Sequence, residues 1–237
     1  DVRGDGSEAT PFMTIGKAIE AAANEDEINI VLMSDISATQ ELKFEDGSKT
    51  INFSSNGSSN YKIQFTGSIA IGTESGFIKV TNGSTVNFDH VDLYGSTGTY
   101  DGRVIYVADN GTVTLTNSTV TRGRVNNVTT MQGGAGALAA DHGVLNIGEG
   151  VVITGNTTTA GGGALFVAAA RSISLMMQRL QTTPQIMVQA YTPTLRLRLT
   201  AVCIFLIVYR LLATRLPSRV PVCTSASPQM QLLRTTL

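Results

Sequence analysis

Between Phe77 and Leu175 the chain repeats itself. FIKVTNGSTVNFDHVDLYGS from Phe77, VIYVADNGTVTLTNSTVTRG from Val104, ALAADHGVLNIGEGVVITGN from Ala137 and ALFVAAARSISL from Ala164 carry the same apolar alternation. Stacked, they align Gly83, Gly111 and Gly143, with Arg171 in the fourth row. They also align Val86/Phe88, Val113/Leu115, Leu145/Ile147 and Ile173/Leu175. The spacings along the glycine column are 28, 32 and 28 residues. A period of roughly 20–50 residues marks a unit that cannot bury its apolar face alone and must stack on its neighbours.

The unit is a β unit. Its apolar positions alternate with period two over three to five residues, and no ten-residue stretch has the 3.6 period of a helical solenoid. A propeller blade needs ~40 residues, and the Leu and Asn spacing of leucine-rich repeats is missing. Short runs upstream belong to the same series: INIVLM at 28–33, KTINF at 49–53 and YKIQF at 61–65, separated by Gly/Ser/Asn turn residues. The expected fold is all-β, a right-handed parallel β-helix over 28–175. Val, Ile, Leu and Phe fill its interior in columns, at the ~4.8 Å spacing of hydrogen-bonded strands. The Asn82-Gly83 and Asn110-Gly111 pairs turn its corners, where positive φ is needed.

A coil of this kind has open strand edges at its ends. Residues 1–27 provide a cover. ATPFMTIGKAIEAAA at 9–23 predicts a short capping helix with Thr10 as N-cap, Pro11 in the first turn, and Ile15, Ala18, Ile19 and Ala22 on one apolar face. The acidic run Glu25–Glu27 ends it. No basic segment and apolar run of a secretory signal precedes Asp1.

Composition breaks after residue 170. Residues 1–170 hold all 18 acidic side chains and nine of the 17 basic ones. The remainder holds eight Arg, no Gly and no acid. Five of the six Pro and both Cys also lie there. The tail at 176–237 is expected to stand outside the regular fold, frameshifted or disordered. A shifted reading frame supports the first possibility: Met176–Met177 must then encode Asp, and Met187–Val188 must encode Gly. The same frame permits Gly-Ala-Gly at 187 and again at 219, one coil period later.

DGSEATPFMTIGKAIEAA at 5–22 resembles the capping segment of pectate-lyase-like parallel β-helix proteins. GGAGAL at 133–138 and GGGALF at 161–166 resemble the Gly-Gly-Ala-Ile/Leu repeats of polymorphic outer-membrane proteins and adhesin-like β-helices. The resemblance covers about residues 5–175 and implies a fold that hosts enzymes, phage tailspikes and adhesins alike. It therefore speaks to architecture more than to activity.

Chemistry is sparse. Asp89, His90 and Asp92 in NFDHVDLYG form the one dense titratable cluster. Two carboxylates and an imidazole can bind Ca²⁺ or do acid–base work on a polysaccharide. Their expected counterparts one coil on are Asn117, Ser118 and Val120, so no column of acids builds up. The three are therefore expected to face solvent at a strand-to-turn edge with no catalytic role. Asp109, Asp141 and His142 sit beside turn glycines and read as turn residues. His142 takes the slot of Asn82 and Asn110. Arg103, Arg122 and Arg124 could supply the base of a polysaccharide lyase, but without calcium-ligating acids in register they read as surface charge. Seven Asn-x-Ser/Thr triplets, at Asn52, Asn56, Asn82, Asn110, Asn117, Asn127 and Asn156, follow from the composition. Cys203 and Cys223 lie 20 apart with no partner His, so zinc is not indicated. No metal and no cofactor is implied.

LTAVCIFLIVY at 199–209 is 11 residues long, short of the ~20 of a spanning helix. It is not expected to anchor the chain. A net charge of −1 offers no basic field for nucleic acid. The function expected from these features is a non-enzymatic, adhesin-like β-helix fragment. It would be extracellular or at the cell surface, on a bacterial outer membrane or cell wall, with polysaccharide or a host surface as partner. The alternatives are a polysaccharide lyase or glycoside hydrolase of the same fold, a structural stalk, or the inactive product of a frameshifted gene.

Overall fold

A computed structural model describes residues 4–208, except 48, 58, 68–75, 97–101, 126–136, 159–163, 169–171, 176–178, 181–185, 190–196 and 200–205, and from residue 167 onward it describes backbone strands only. Arg171, Asn127, Cys203, Cys223 and most of the 199–209 run lie outside the described residues. The fold is a parallel β-solenoid with one short helix near its N-terminus.

Three parallel sheets run the length of the coil. The first stacks Glu27–Leu32, Thr50–Ser55, Thr85–Asp89, Thr112–Thr116, Val144–Ile147, Ser172–Leu175 and Leu197–Leu199. The second stacks Ile36–Ala38, Tyr61–Phe65, Val91–Tyr94, Thr119–Thr121, Val152–Thr154 and Arg179–Leu180. The third stacks Leu42–Phe44, Ile78–Val80, Ile105–Ala108, Leu138–Asp141, Leu165–Ala168, Ile186–Gln189 and Leu206–Val208. A two-stranded piece, Arg124–Val125 with Thr157–Thr158, extends one corner.

Register follows the repeat. Ile28, Ile51, Val86, Val113, Leu145, Ile173 and Leu197 pair in succession along the first sheet. Ile30, Phe53, Phe88, Leu115, Ile147, Leu175 and Leu199 pair two residues on. Through Leu145 and Ile147 these side chains are buried and belong to one continuous core. Ile63, Leu93, Val120 and Ile153 complete it from the second sheet, and Ile78, Ile105, Leu138 and Leu165 from the third. Phe53 stacks on Phe88 at 4.9 Å between centroids and meets Phe44 edge-on at 6.0 Å. Successive rungs of the first column lie 23, 35, 27, 32, 28 and 24 residues apart. The strands keep register while the corners absorb the difference.

The corners correct the sequence alignment by one residue. The strands at 85–89 and 112–116 are offset by 27 residues, whereas Gly83 and Gly111 are 28 apart. The left-handed residues obey the strand offset: Asn82 (φ 53°) and Gly83 (φ 82°) are followed one coil on by Asp109 (φ 46°) and Asn110 (φ 66°). Asn110 is thus the counterpart of Gly83, and His142 (φ 56°) continues that slot. Gly111 serves a different need. A Cβ there would lie 2.4 Å from the Val80 carbonyl oxygen, so the close approach of successive corners requires glycine. The same offset places Thr116, Asn117 and Thr119 opposite Asp89, His90 and Asp92, in place of Asn117, Ser118 and Val120.

The helix is shorter than predicted. It spans Ile15–Ala21, and Thr14, not Thr10, is its N-cap, accepting from the Lys17 amide at 3.2 Å. Thr10 is occupied elsewhere. Its hydroxyl donates to the Asp5 carboxylate, and its carbonyl accepts from the amides of Asp5 and Gly6. A closed turn over 5–10 therefore replaces the first helical turns. The apolar face is the expected one: Ile15 is buried in the core, and Ala18, Ile19 and Ala22 pack against it. The helix lies against Glu27–Leu32, the edge strand of the first sheet. Among the described residues no helix is long and apolar enough to cross a membrane.

The sequence expectation placed 176–237 outside the regular coil. Within it, four short stretches pair onto the sheets as backbone strands: Arg179–Leu180, Ile186–Gln189, Leu197–Leu199 and Leu206–Val208.

Two tests follow from this packing. Phe53→Ala removes a ring that is 1% exposed and should cost about 3–5 kcal/mol in urea denaturation, with Phe53→Leu costing less. Hydrogen bonds from Thr10 and Ser7 hold the Asp5 carboxyl at about 2. Its contribution to the 5–10 turn is therefore full above the ordinary carboxyl range and lost as pH falls through about 2. Carboxyl carbon shifts of Asp5 should report that midpoint.

Candidate functional site

The residues of NFDHVDLYG divide around a corner. Asp89 ends a strand of the first sheet and points outward. Its Oδ1 accepts from Thr116 Oγ1 at 2.7 Å, Asn117 Nδ2 at 3.0 Å and His90 Nδ1 at 3.1 Å. Partial burial raises its pKa, but the hydrogen bonds from Thr116, Asn117 and His90 prevail and hold it below the ordinary value. His90 is the corner itself, with φ 57°. Its amide donates to the Thr116 carbonyl, and its own carbonyl accepts from Ser55 Oγ at 2.6 Å. Asp92 belongs to the second sheet, where Oδ1 accepts from Asn60 Nδ2 and the Thr119 amide, both at 2.8 Å. Asp89 thus links its rung to the next one, and Asp92 links its rung to those on both sides. Among the described residues no three His, Cys, Asp or Glu side chains converge as a metal site.

The three arginines part company. Arg103 is no surface charge: it is 1% exposed, with its guanidinium 5.5 Å from the Tyr106 ring. Burial pushes its pKa down to about 10, Tyr106 opposing the shift, so it stays charged at neutral pH. Tyr106, Ala108, Ala139 and Phe166 form a small buried cluster of their own on the outer side of the third sheet. Arg122 is exposed and Arg124 half-buried, and both line an open groove of about 290 Å³ together with Ser96, Gly123, Gly155 and Thr157. The Arg122 guanidinium lies 5.1 Å from the Tyr94 ring, and Nη1 donates to Gln64 Oε1 at 3.3 Å. Lys62 approaches the same ring at 5.7 Å and pairs with Asp35 at 3.0 Å, which lowers the Asp35 pKa. The spacing of the arginines did not reveal this groove. It depends on Ser96, Arg122 and Thr157 meeting from three successive coils.

A second surface lies on the outer face of the first sheet. Thr50, Thr85 and Thr112 form one column in register. Asn29, Asn52, Asn87, Thr114 and Asn146 form the next. Asn52 Nδ2 donates to Asn29 Oδ1 at 2.9 Å, Asn87 Nδ2 to Asn52 Oδ1 at 2.8 Å, and Asn146 Nδ2 to Thr114 Oγ1 at 3.4 Å. Several glycosylation triplets are spent on the scaffold: Asn82, Asn110 and Asn117 turn corners with positive φ, and Asn156 binds the carbonyls of Val120 and Thr154.

Comparison of the chain with protein-family models, curated proteins and solved structures finds no match. The geometry alone defines the class: a parallel β-solenoid with a polar ladder on one face and a basic groove at one corner.

The linking role of Asp92 has a measurable size. Asp92→Ala strands the Asn60 amide and the Thr119 N–H, and should cost about 2 kcal/mol in chemical denaturation, as expected for hydrogen bonds to a charged group.

Proposed function

We propose that this protein is a non-enzymatic, secreted or surface-displayed β-helix, adhesin-like in character, that binds extended glycans. The observation that carries this reading is the outer ladder of the first sheet. Its Asn and Thr groups repeat at the strand spacing and are fixed by their mutual hydrogen bonds. Each amide has two donors and two acceptor lone pairs, so the ladder retains capacity for the hydroxyls of a polymer laid along the coil. Rigid groups lose little entropy when they bind. Asp89 and Asp92 support the same reading, because their hydrogen bonds tie them into the scaffold. The resemblance of residues 5–22 and of the Gly-Gly-Ala repeats to pectate-lyase-like and outer-membrane β-helices agrees with an extracellular setting at a bacterial surface.

A glycan array probed with the full chain tests it. Binding without release of reducing or unsaturated sugars is the expected result. Release of such sugars, abolished by Asp89→Ala, would replace this reading with a lyase or hydrolase.

A further inference from the structure

Arg122 occupies a position that its residue type disfavours. Its φ is 62°, in the left-handed region, where a Cβ crowds the following carbonyl. The other described non-glycine residues with positive φ are Asn82, His90, Asp109, Asn110, Asn117 and His142. All six are Asn, Asp or His, the types that enter this region most readily. One coil above, the same corner is Gly155, with φ 63°; Gly95, one coil below, is not in the left-handed region and is glycine because a Cβ there would run into the Arg122 carbonyl. Glycine would turn this corner without strain. The chain places a guanidinium there instead.

We propose that the corner groove at Arg122 is an oxyanion seat, which takes a sulfate ester or carboxylate carried on a linear anionic polysaccharide. This rests on the glycan-binding reading and names the ligand class of one part of the surface. Arg122 is oriented before any ligand arrives, by the Tyr94 ring at 5.1 Å and by Gln64 Oε1 at 3.3 Å. No described carboxylate lies within ion-pairing distance of it. A guanidinium has five N–H donors in a planar fork that matches oxyanions, and Gln64 takes one of them. Arg124 adds a second positive charge to the groove lining, and Ser96 and Thr157 add hydroxyls. At about 290 Å³ the groove is just below the range for a whole small molecule and suits one charged unit of a longer chain. Residues 1–170 carry a charge of −9, which repels a polyanion at long range. Attraction must therefore be local and must weaken with added salt.

The test uses the full chain, heparin and polygalacturonate as anionic probes, and the neutral glycans of the array. Arg122→Gly removes the guanidinium and leaves a residue that this corner accepts, with the same left-handed backbone, at Gly155. It should lower affinity for at least one anionic polymer by about tenfold or more. Its melting temperature should be unchanged or higher, and neutral glycan binding should persist. Arg122→Lys should retain part of the affinity. Loss confined to heparin assigns a sulfate seat, and loss confined to polygalacturonate a carboxylate seat. Equal affinity of wild type and Arg122→Gly for both polymers overturns the proposal, as does a wild type that binds neutral glycans alone. A wild type that binds no glycan overturns the underlying reading and this one with it.

Discussion

Like-on-like stacking of inner side chains is the interaction on which everything else depends. A single rung has strands of two to six residues and no core of its own. Ile51 or Val113 is out of water only because a neighbour in the same register covers it from above and another from below. Stability of such an array is approximately a sum over rungs and their interfaces. The first rung lacks a neighbour on one side, and Ile15, Ala18, Ile19 and Ala22 of the helix pack there.

Polar satisfaction is the second requirement, and it is met between rungs as well as within them. Asp89 and Asp92 accept from residues of adjacent coils, the asparagines of the first sheet bond one another, and Asn156 holds carbonyls at its corner. Chemistry that resembled a reactive cluster in the sequence is thus used to fasten strands. Arg122 stands apart from these residues, with a charge on the outside of a corner where the backbone would favour glycine.

Much of the fold was legible from period and turn chemistry. The inner columns Val86/Phe88 to Ile173/Leu175 were aligned correctly because apolar alternation leaves no other way to bury them. The corners were legible only to within a residue: Asn-Gly pairs look alike, yet Gly83 supplies a positive φ and Gly111 supplies room beside Val80. The helix start was misplaced because Thr10 and Thr14 are both plausible caps, and the contact of Thr10 with Asp5 decides between them. Beyond Leu175 the turn residues that flag strand ends are absent, so strand boundaries there have no signal in the sequence. The groove was illegible for a different reason: its parts lie on separate coils, and the burial of Arg103 against the exposure of Arg122 has no signature in either residue's neighbours along the chain.

Coil lengths between 23 and 35 residues share one interior. The cross-section of the cylinder is therefore decoupled from the length of chain that encloses it. Extra residues can be spliced in at a bend without disturbing any packed side chain, so the outer contour is free to diversify while the hydrophobic bore stays constant. A scaffold with that property can acquire new recognition surfaces one bend at a time.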